Sequence, residues 1–116
     1  MTRQETITKD LRYWQIFLNL QSWELKIRLV DFTRTDWPQS GDIEVDTKKK
    51  KATVLLTKND TGKDKAIILH ELLHLVLWQY DHFVEDFIPK EQKKEYFTLL
   101  EKVVADLQIV ILQEDK

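Results

Sequence analysis

The chain has 116 residues, of which 42% are hydrophobic and 33% are charged, and its formal net charge at pH 7 is -2. This length suits one domain spanning residues 1–116, the composition excludes a disordered chain, and the weak charge gives no general attraction to nucleic acid or anionic membranes. Because there is no cysteine, disulfides and thiolate metal ligands are excluded, so any metal must be bound by His and carboxylate side chains.

The N-terminal part of the chain predicts a helix followed by a strand. The apolar residues that recur at helical spacing are Ile7, Leu11, Trp14 and Leu18. Residues 2–5, Thr-Arg-Gln-Glu, have the form of a capping box, so we expect an amphipathic helix over residues 4–20. From Trp23 to Leu29 apolar and charged residues alternate, which is typical of a strand with one buried face.

Two short runs in the middle of the chain, residues 43–45 and 52–57, predict a β-hairpin. We expect a small three-stranded antiparallel sheet in which strand 52–57 forms an edge that can pair with an extended peptide. In the loop before the hairpin, Trp37 beside Pro38 could line a substrate cleft. The hairpin turn contains a run of four lysines, Lys48, Lys49, Lys50 and Lys51. A solvated turn explains this run more simply than a phosphate contact, so nucleic acid is not an expected partner.

The C-terminal half predicts two helices. From Asp64 to about Tyr80 the sequence is apolar nearly all the way round a helix, which indicates a helix buried on most sides. Pro89 occupies a favoured first-turn position for a last helix. The apolar stripe of that helix consists of Phe97, Leu100, Val104, Leu107 and Ile111. We therefore expect a compact α+β domain in which helices pack on one face of the sheet.

The buried helix carries the sequence His70-Glu71-Leu72-Leu73-His74. Two histidines four residues apart lie on one helical face and can bind one metal ion together, while Glu71 is displaced so that it can reach a water on that ion. Buried imidazoles and a buried carboxylate are costly unless they are paired or coordinate a metal. This motif predicts hydrolysis by a metal-activated water with Glu71 as general base, and the alternative is a pair of satisfied core histidines.

A hydrolytic zinc site usually has three protein ligands, so a third must join His70 and His74. Without cysteine, the third ligand must be His82 or a downstream carboxylate. On a helical wheel Glu101 lies about 40° from Phe97, at the border of the apolar stripe, which places it to face inward. The acids of the last helix that fall on its far side are Glu91, Glu95 and Asp106. An ordinary glutamate at the edge of the buried face is the alternative reading of Glu101.

The motif at residues 70–74, followed by Glu101 and Ala105 four residues later, resembles the gluzincins, which are zinc peptidases whose third ligand is a glutamate on a following helix. The chain is most similar to the minigluzincins and to short metallopeptidases of phage and prophage genomes, over nearly its whole length. This resemblance implies a zincin-like fold with an active-site helix and a C-terminal glutamate helix. It also implies one Zn²⁺ held by His70, His74 and Glu101, with Glu71 as base and a peptide or protein as substrate.

Two other metal families fit less well. A metzincin would place its third ligand ten residues after the first histidine, where this chain has Tyr80. The stretch from Tyr80 to His82 resembles the zinc-dependent rRNA-maturation endonucleases, but their spacing is shorter, and Glu71 stands where those enzymes have a glycine. A zinc-dependent nuclease therefore remains a minor alternative, beside a catalytically silent binding module in which the metal is only a structural staple.

Several residues near the motif have weaker predicted roles. Tyr80, His82 and Tyr96 are candidates to stabilise the oxyanion that forms during peptide hydrolysis. Asp81 lies about 20° from His70 on the helical wheel and could accept a hydrogen bond from that imidazole, since ligand histidines usually have such a partner. A surface aspartate at the C-terminal end of the helix is the equal alternative. The sequence does not choose among Tyr80, His82 and Tyr96, and a structural role is the simpler explanation of each.

Residues 1–10 are polar and charged, without the apolar segment of a secretory signal, and no stretch of the chain approaches the roughly 20 apolar residues of a membrane span. We therefore expect a cytoplasmic protein with no membrane partner. Oligomeric state and cleavage specificity have no signature in this sequence.

Overall fold

The computed structural model describes residues 1–32 and 39–115, and its elements confirm the α+β class. In chain order they are α1 (Arg3–Phe17), β1 (Glu24–Val30), β2 (Gly41–Asp46), β3 (Lys51–Thr57), α2 (Asp64–Val76), α3 (Trp78–Glu85), a short 3-10 helix (Lys90–Gln92) and α4 (Lys93–Glu114). Within those residues no helix combines the length and apolar character that a membrane crossing requires. The expectation for Trp37 and Pro38 lies outside the described residues.

Helix α1 begins with the predicted capping box. The Thr2 hydroxyl accepts a hydrogen bond from the Glu5 backbone N–H at 3.1 Å, and the Glu5 carboxylate accepts one from the Thr2 backbone N–H at 3.1 Å. The apolar face buries Ile7, Leu11 and Trp14. The helix ends at Phe17, before the predicted boundary, because the chain turns at Asn19 with a positive φ of 60°, a conformation that asparagine tolerates better than most residues.

The sheet is mixed, with strand order β1-β3-β2, so the prediction of an antiparallel sheet is wrong for one of its two pairings. Strands β2 and β3 form the predicted antiparallel hairpin, whereas β1 pairs with β3 in parallel, from Glu24 opposite Lys51 to Val30 opposite Thr57. The cause is the path of β2, which returns the chain to the end of the sheet where β1 begins. There the Glu24 N–H donates to the Lys50 carbonyl at 2.9 Å, and β3 starts beside β1.

Strand β3 is the central strand, so the prediction that residues 52–57 form an edge is wrong, and β2 is an edge strand. The physical reason is burial: β3 is the most apolar of the three strands, and all but two of its residues are buried. A strand with neighbours on both sides needs little polar surface, whereas β2 alternates between exposed acids and buried or partly buried positions. An extended partner would therefore meet β2 rather than β3.

Helix α2 lies at the centre of the fold and packs on α1, on the sheet and on α4. Its fully buried side chains are Ile68, Leu69 and Leu72. The predicted helix over residues 64–80 is interrupted at Leu77, after which α3 continues to Glu85. The apolar character all round α2 is thus explained by neighbours on several sides.

Helix α4 is long but thinly packed. The sequence predicts Pro89 in the first turn of the last helix. In the structure Pro89 precedes the short 3-10 helix instead, and α4 begins only at Lys93. Of the predicted apolar stripe, Val104 is buried and Leu100 and Ile111 are partly buried against the core, whereas Phe97 and Leu107 are exposed. The stripe therefore faces the core only along its central line.

Candidate metal centre

The two histidines of the motif project from the same face of α2, as their spacing predicts. Their ring centroids lie 5.1 Å apart, and the ring planes are inclined at 64°. Both side chains are partly buried, because α2 is packed on most of its circumference and the histidines lie where it borders a cleft. The helix therefore places both imidazole rings on one side of the cleft, and the orientation of each ring depends on its own polar contacts.

Glu101 reaches these histidines from α4. Its Oε1 lies 2.8 Å from His74 Nε2, and its Oε2 lies 3.3 Å from His70 Nε2. One ligand atom from each of the three residues lies within 4.8 Å of the other two, so this group could hold a metal ion. Around an ion with bonds of about 2.0–2.1 Å, tetrahedral neighbours are separated by about 3.3 Å. The distance from Glu101 Oε2 to His70 Nε2 matches this value, whereas the 2.8 Å from Glu101 Oε1 to His74 Nε2 is the length of a direct hydrogen bond.

The hydrogen-bond pattern of His70 also suits a cation. Gln108 Oε1 can only accept, and it lies 2.7 Å from His70 Nδ1, so that ring nitrogen carries the hydrogen. In the neutral imidazole the Nε2 lone pair then faces the Glu101 carboxylate, and two acceptors face each other unless a proton or a metal ion lies between them. The donor set of two imidazoles and one carboxylate fits a divalent transition metal.

The electrostatics of His74 point the same way. Burial lowers the pKa of His74, and this effect outweighs the opposing influence of the Glu101 carboxylate. A lowered pKa favours the neutral imidazole, which is the form that binds metals. His74 is therefore available as a ligand at neutral pH.

Glu71 is buried next to His70 and belongs to a different part of the site. Burial raises its pKa to about 8, with further contributions from the charges of Asp42 and Glu101. A Cβ added at Gly41 would lie 2.6 Å from Ile67 Cγ2 and 3.1 Å from Glu71 Oε2. The absence of a side chain at Gly41 thus lets the first residue of β2 approach the Glu71 carboxylate closely.

These groups line one cleft of about 760 Å³. Its walls are formed by the start of β2 with Gln39 and Ser40, by the face of α2 that carries the histidines, and by α4 at Glu101 and Gln108. No lysine or arginine is among the described residues that line it. The cleft is therefore open beside an edge strand and carries carboxylate, imidazole and amide groups.

The three candidates for oxyanion stabilisation do not line the cleft as the structure describes it. His82 stacks on Trp78 with ring centroids 4.4 Å apart, and its Nδ1 lies 2.9 Å from the Trp78 carbonyl oxygen. The Tyr96 hydroxyl donates to Asp81 Oδ1 at 2.6 Å, and burial together with this bond raises the pKa of Tyr96 to about 12. Tyr80 is 67% exposed.

Asp81 therefore pairs with Tyr96, and the proposed bond from His70 goes to Gln108 instead. Gln108 is the site residue that sequence reasoning missed. It lies seven residues after Glu101, two helical turns along α4, so the two side chains share one face. That spacing was the available signal. The sequence left two kinds of third ligand open, His82 or a downstream carboxylate. The candidate group contains the carboxylate of Glu101 and does not contain His82.

The four lysines Lys48, Lys49, Lys50 and Lys51 lie at the β2–β3 turn, as predicted, and not in the cleft. The backbone N–H groups of Lys48 and Lys49 donate to Asp46 Oδ1, each at 3.1 Å. These bonds close the turn. The lysine run is thus explained as part of an exposed hairpin turn that the Asp46 carboxylate stabilises.

Comparison with known proteins finds no family model that matches this chain, and no curated protein or solved structure that is significantly similar to it.

Proposed function

We propose that this protein is a zinc-dependent metallopeptidase with a zincin-like fold. In this proposal His70, His74 and Glu101 bind one Zn²⁺, and Glu71 acts as general base on a peptide substrate. The observation that supports it most directly is that ligand atoms of three residues converge, while the carboxylate of a fourth residue, Glu71, is buried beside them and does not join the group. A purely structural metal site has no use for the fourth group.

A bound zinc ion supplies a Lewis acid that activates water and polarises the peptide carbonyl. Glu71 takes a proton from the attacking water at its carboxylate and passes it to the nitrogen of the leaving amine. In the metal-free protein burial raises the pKa of Glu71 to about 8, so this carboxyl group is mostly protonated at neutral pH. The positive charge of a bound ion would lower that pKa and favour the carboxylate, which is the form that accepts the proton. Gln108 holds the His70 ring so that Nε2 faces the ligand position.

Strand β2 is placed to hold the substrate. Gly41, Asp42 and Ile43 line the cleft, and β2 pairs only with β3 among the described strands. Two of its backbone groups bond to nearby side chains instead of to β3: the Gly41 carbonyl accepts from Gln39 Nε2 at 3.2 Å, and the Ile43 N–H donates to Asp42 Oδ1 at 2.8 Å. A substrate strand would replace these two local bonds. An extended peptide that pairs with this edge would pass beside Glu71, because Gly41 approaches that carboxylate closely. This arrangement favours a peptide over a nucleic acid, since the described cleft residues offer no cation for phosphate.

The proposal is tested by comparing the wild type with Glu71→Gln after reconstitution with zinc. Elemental analysis should find one zinc per chain in both proteins. Hydrolysis of fluorophore-labelled casein should fall by about 10²-fold or more in the variant, which is the usual contribution of a positioned acid or base. Glu44→Gln is the matched control, because Glu44 is exposed on β2 and does not line the cleft, so its activity should equal that of the wild type.

Three outcomes would contradict the proposal in different ways. Loss of zinc in Glu71→Gln would show that this residue is a ligand and not a base. One zinc per chain in the wild type and both variants, with no hydrolysis by any of the three proteins, would favour a binding module whose metal only stabilises the fold. Absence of zinc from the reconstituted wild type would remove the metal centre altogether.

A further inference from the structure

Helix α4 carries a second apolar surface that does not pack on the domain. Leu99, Val103 and Val110 are 55%, 50% and 55% exposed, and they lie within about 40° of one another on the helical wheel. The centre of this outer stripe is about 120° from Val104, the residue that α4 buries in the core. Three exposed aliphatic residues in one line on a long helix are typical of a surface that meets another helix.

The charges beside the outer stripe are arranged with an internal symmetry. Lys102 and Asp106 lie two residues before and two residues after position 104, which is close to the midpoint between Leu99 and Val110. Their side chains are 69% and 60% exposed, and Lys102 Nζ lies 2.6 Å from Asp106 Oδ2. On the wheel both fall on the same side of the stripe. Reversing the direction of the helix about this midpoint therefore exchanges a positive position for a negative one.

We propose that the outer stripe binds a second copy of this chain, with the two α4 helices antiparallel about a two-fold axis near residue 104. In that arrangement Leu99 of one copy packs beside Val110 of the other. Lys102 of each copy then lies opposite Asp106 of its partner, so the surface is complementary to itself, as an isologous interface requires. Two copies bring two such ion pairs.

Self-complementarity distinguishes a second copy from an unrelated partner. A binding surface for a basic or an acidic helix would carry one sign of charge beside its apolar stripe, whereas this one carries Lys102 and Asp106 at matched positions. Glu95, a further exposed acid beside the stripe, would lie opposite the neutral Gln113 of the second copy and so meets no like charge. A pair of single helix faces buries less than the about 1,200 Å² of a standard interface. The dimer is therefore weak and forms only at high protein concentration.

Charge reversal tests the register of the interface by sedimentation equilibrium. Lys102→Glu and Asp106→Lys each place like charges opposite one another in a homodimer, and each should weaken dimerisation by about tenfold, because the two symmetry-related surface pairs contribute modestly. An equimolar mixture of the two variants should restore dimerisation, since each chain of the mixed dimer carries one sign. Lys94→Glu, an exposed reversal on another face of α4, is the matched control and should dimerise like the wild type.

The mixing step separates the interface from effects on folding, because a poorly folded helix is not repaired by a second variant. A wild type that remains monomeric at about 500 μM would overturn the proposal. So would a mixture that associates no better than either variant alone, or a Lys94→Glu protein that dimerises as poorly as Lys102→Glu. None of these readouts depends on the metal.

Discussion

Helices α2 and α4 both supply side chains to the candidate metal centre, yet the fold holds them in different ways. Of the 13 residues of α2, six are buried, including Leu69 and Leu72 at the centre of the core. Of the 22 residues of α4, one is buried, Val104. The histidines therefore project from a helix fixed by packing, whereas Glu101 projects from a helix that packs through Val104 and a few partly buried residues and is also held by polar contacts.

Those polar contacts lie near the two ends of α4. Toward its start the Tyr96 hydroxyl bonds to Asp81, and just past its end Asp115 accepts hydrogen bonds from Tyr13 and Lys65. Between them, Glu101 and Gln108 contact the histidines of α2 through polar atoms. A metal held by both helices would therefore add a strong link where hydrophobic packing is sparse, and its binding should stabilise the position of α4.

The largest expected effect lies in the core of α2. Leu72→Ala should lower the free energy of unfolding by about 2–5 kcal/mol, because Leu72 is completely buried and its truncation leaves a cavity. Leu99→Ala, the same substitution on the outer stripe of α4, should change it by less than about 0.5 kcal/mol. Urea denaturation of dilute protein in EDTA measures both. Equal losses in the two variants would show that α4 is packed as firmly as α2.

Zinc binding should raise the free energy of unfolding, because the metal links α4 to α2. At a free zinc concentration of about 100 times Kd, the metal should add about 2.7 kcal/mol to the free energy of unfolding of the wild type. Glu101→Ala should lose most of this increment at the same zinc concentration, because only the two histidines of α2 remain. Thermal or urea unfolding at buffered zinc measures the difference.

Glu95→Ala is the matched control for that experiment, since it removes an exposed glutamate from the same helix and should keep the full increment. His82→Ala should also keep it, because the His82 ring stacks on Trp78 outside the group of ligands. If His82→Ala lost the increment and Glu101→Ala kept it, the third ligand would be that histidine, and α4 would have no link to the metal.

The two helices also differ in how well the sequence predicts them. The hydrophobic run of α2 and the spacing of its histidines are local features, and the structure places them as predicted. The predicted apolar stripe of α4 is confirmed only in part. Periodicity shows which residues can be buried together, but not whether the rest of the domain is large enough to cover all of them. Phe97 and Leu107 are exposed for that reason. Glu101, at the border of the stripe, nevertheless reaches both histidines.

The sheet, too, follows from local sequence patterns only in part. Alternation in β1 and the hairpin of β2 and β3 follow from local patterns, but the parallel pairing of β1 with β3 depends on where a distant turn returns the chain. The apolar sequence of β3, with one charged residue, is itself typical of a central strand, since such a strand has neighbours on both sides. At the site, the Gln108 contact to His70 was missed because a neutral amide has no ligand signature of its own.

Gln108 gives the smallest and sharpest test of how α4 supports α2. Gln108→Ala removes the acceptor for His70 Nδ1–H, so the ring loses the bond that directs Nε2 at the ligand position, and zinc affinity should fall by about tenfold. Gln108→Glu keeps an acceptor there and adds charge that raises the basicity of the imidazole, so affinity should equal or exceed that of the wild type. Competition with a fluorescent zinc chelator measures all three proteins.

The pair of variants separates positioning from packing. If Gln108 acted only by filling space, Gln108→Ala would lower the free energy of unfolding in EDTA, and Gln108→Glu would give no particular gain in zinc affinity. Rescue of affinity by glutamate, with unfolding in EDTA unchanged in both variants, would show that the contact acts through the orientation of His70. A Gln108→Ala protein that binds zinc as tightly as the wild type would mean that α2 orients His70 unaided.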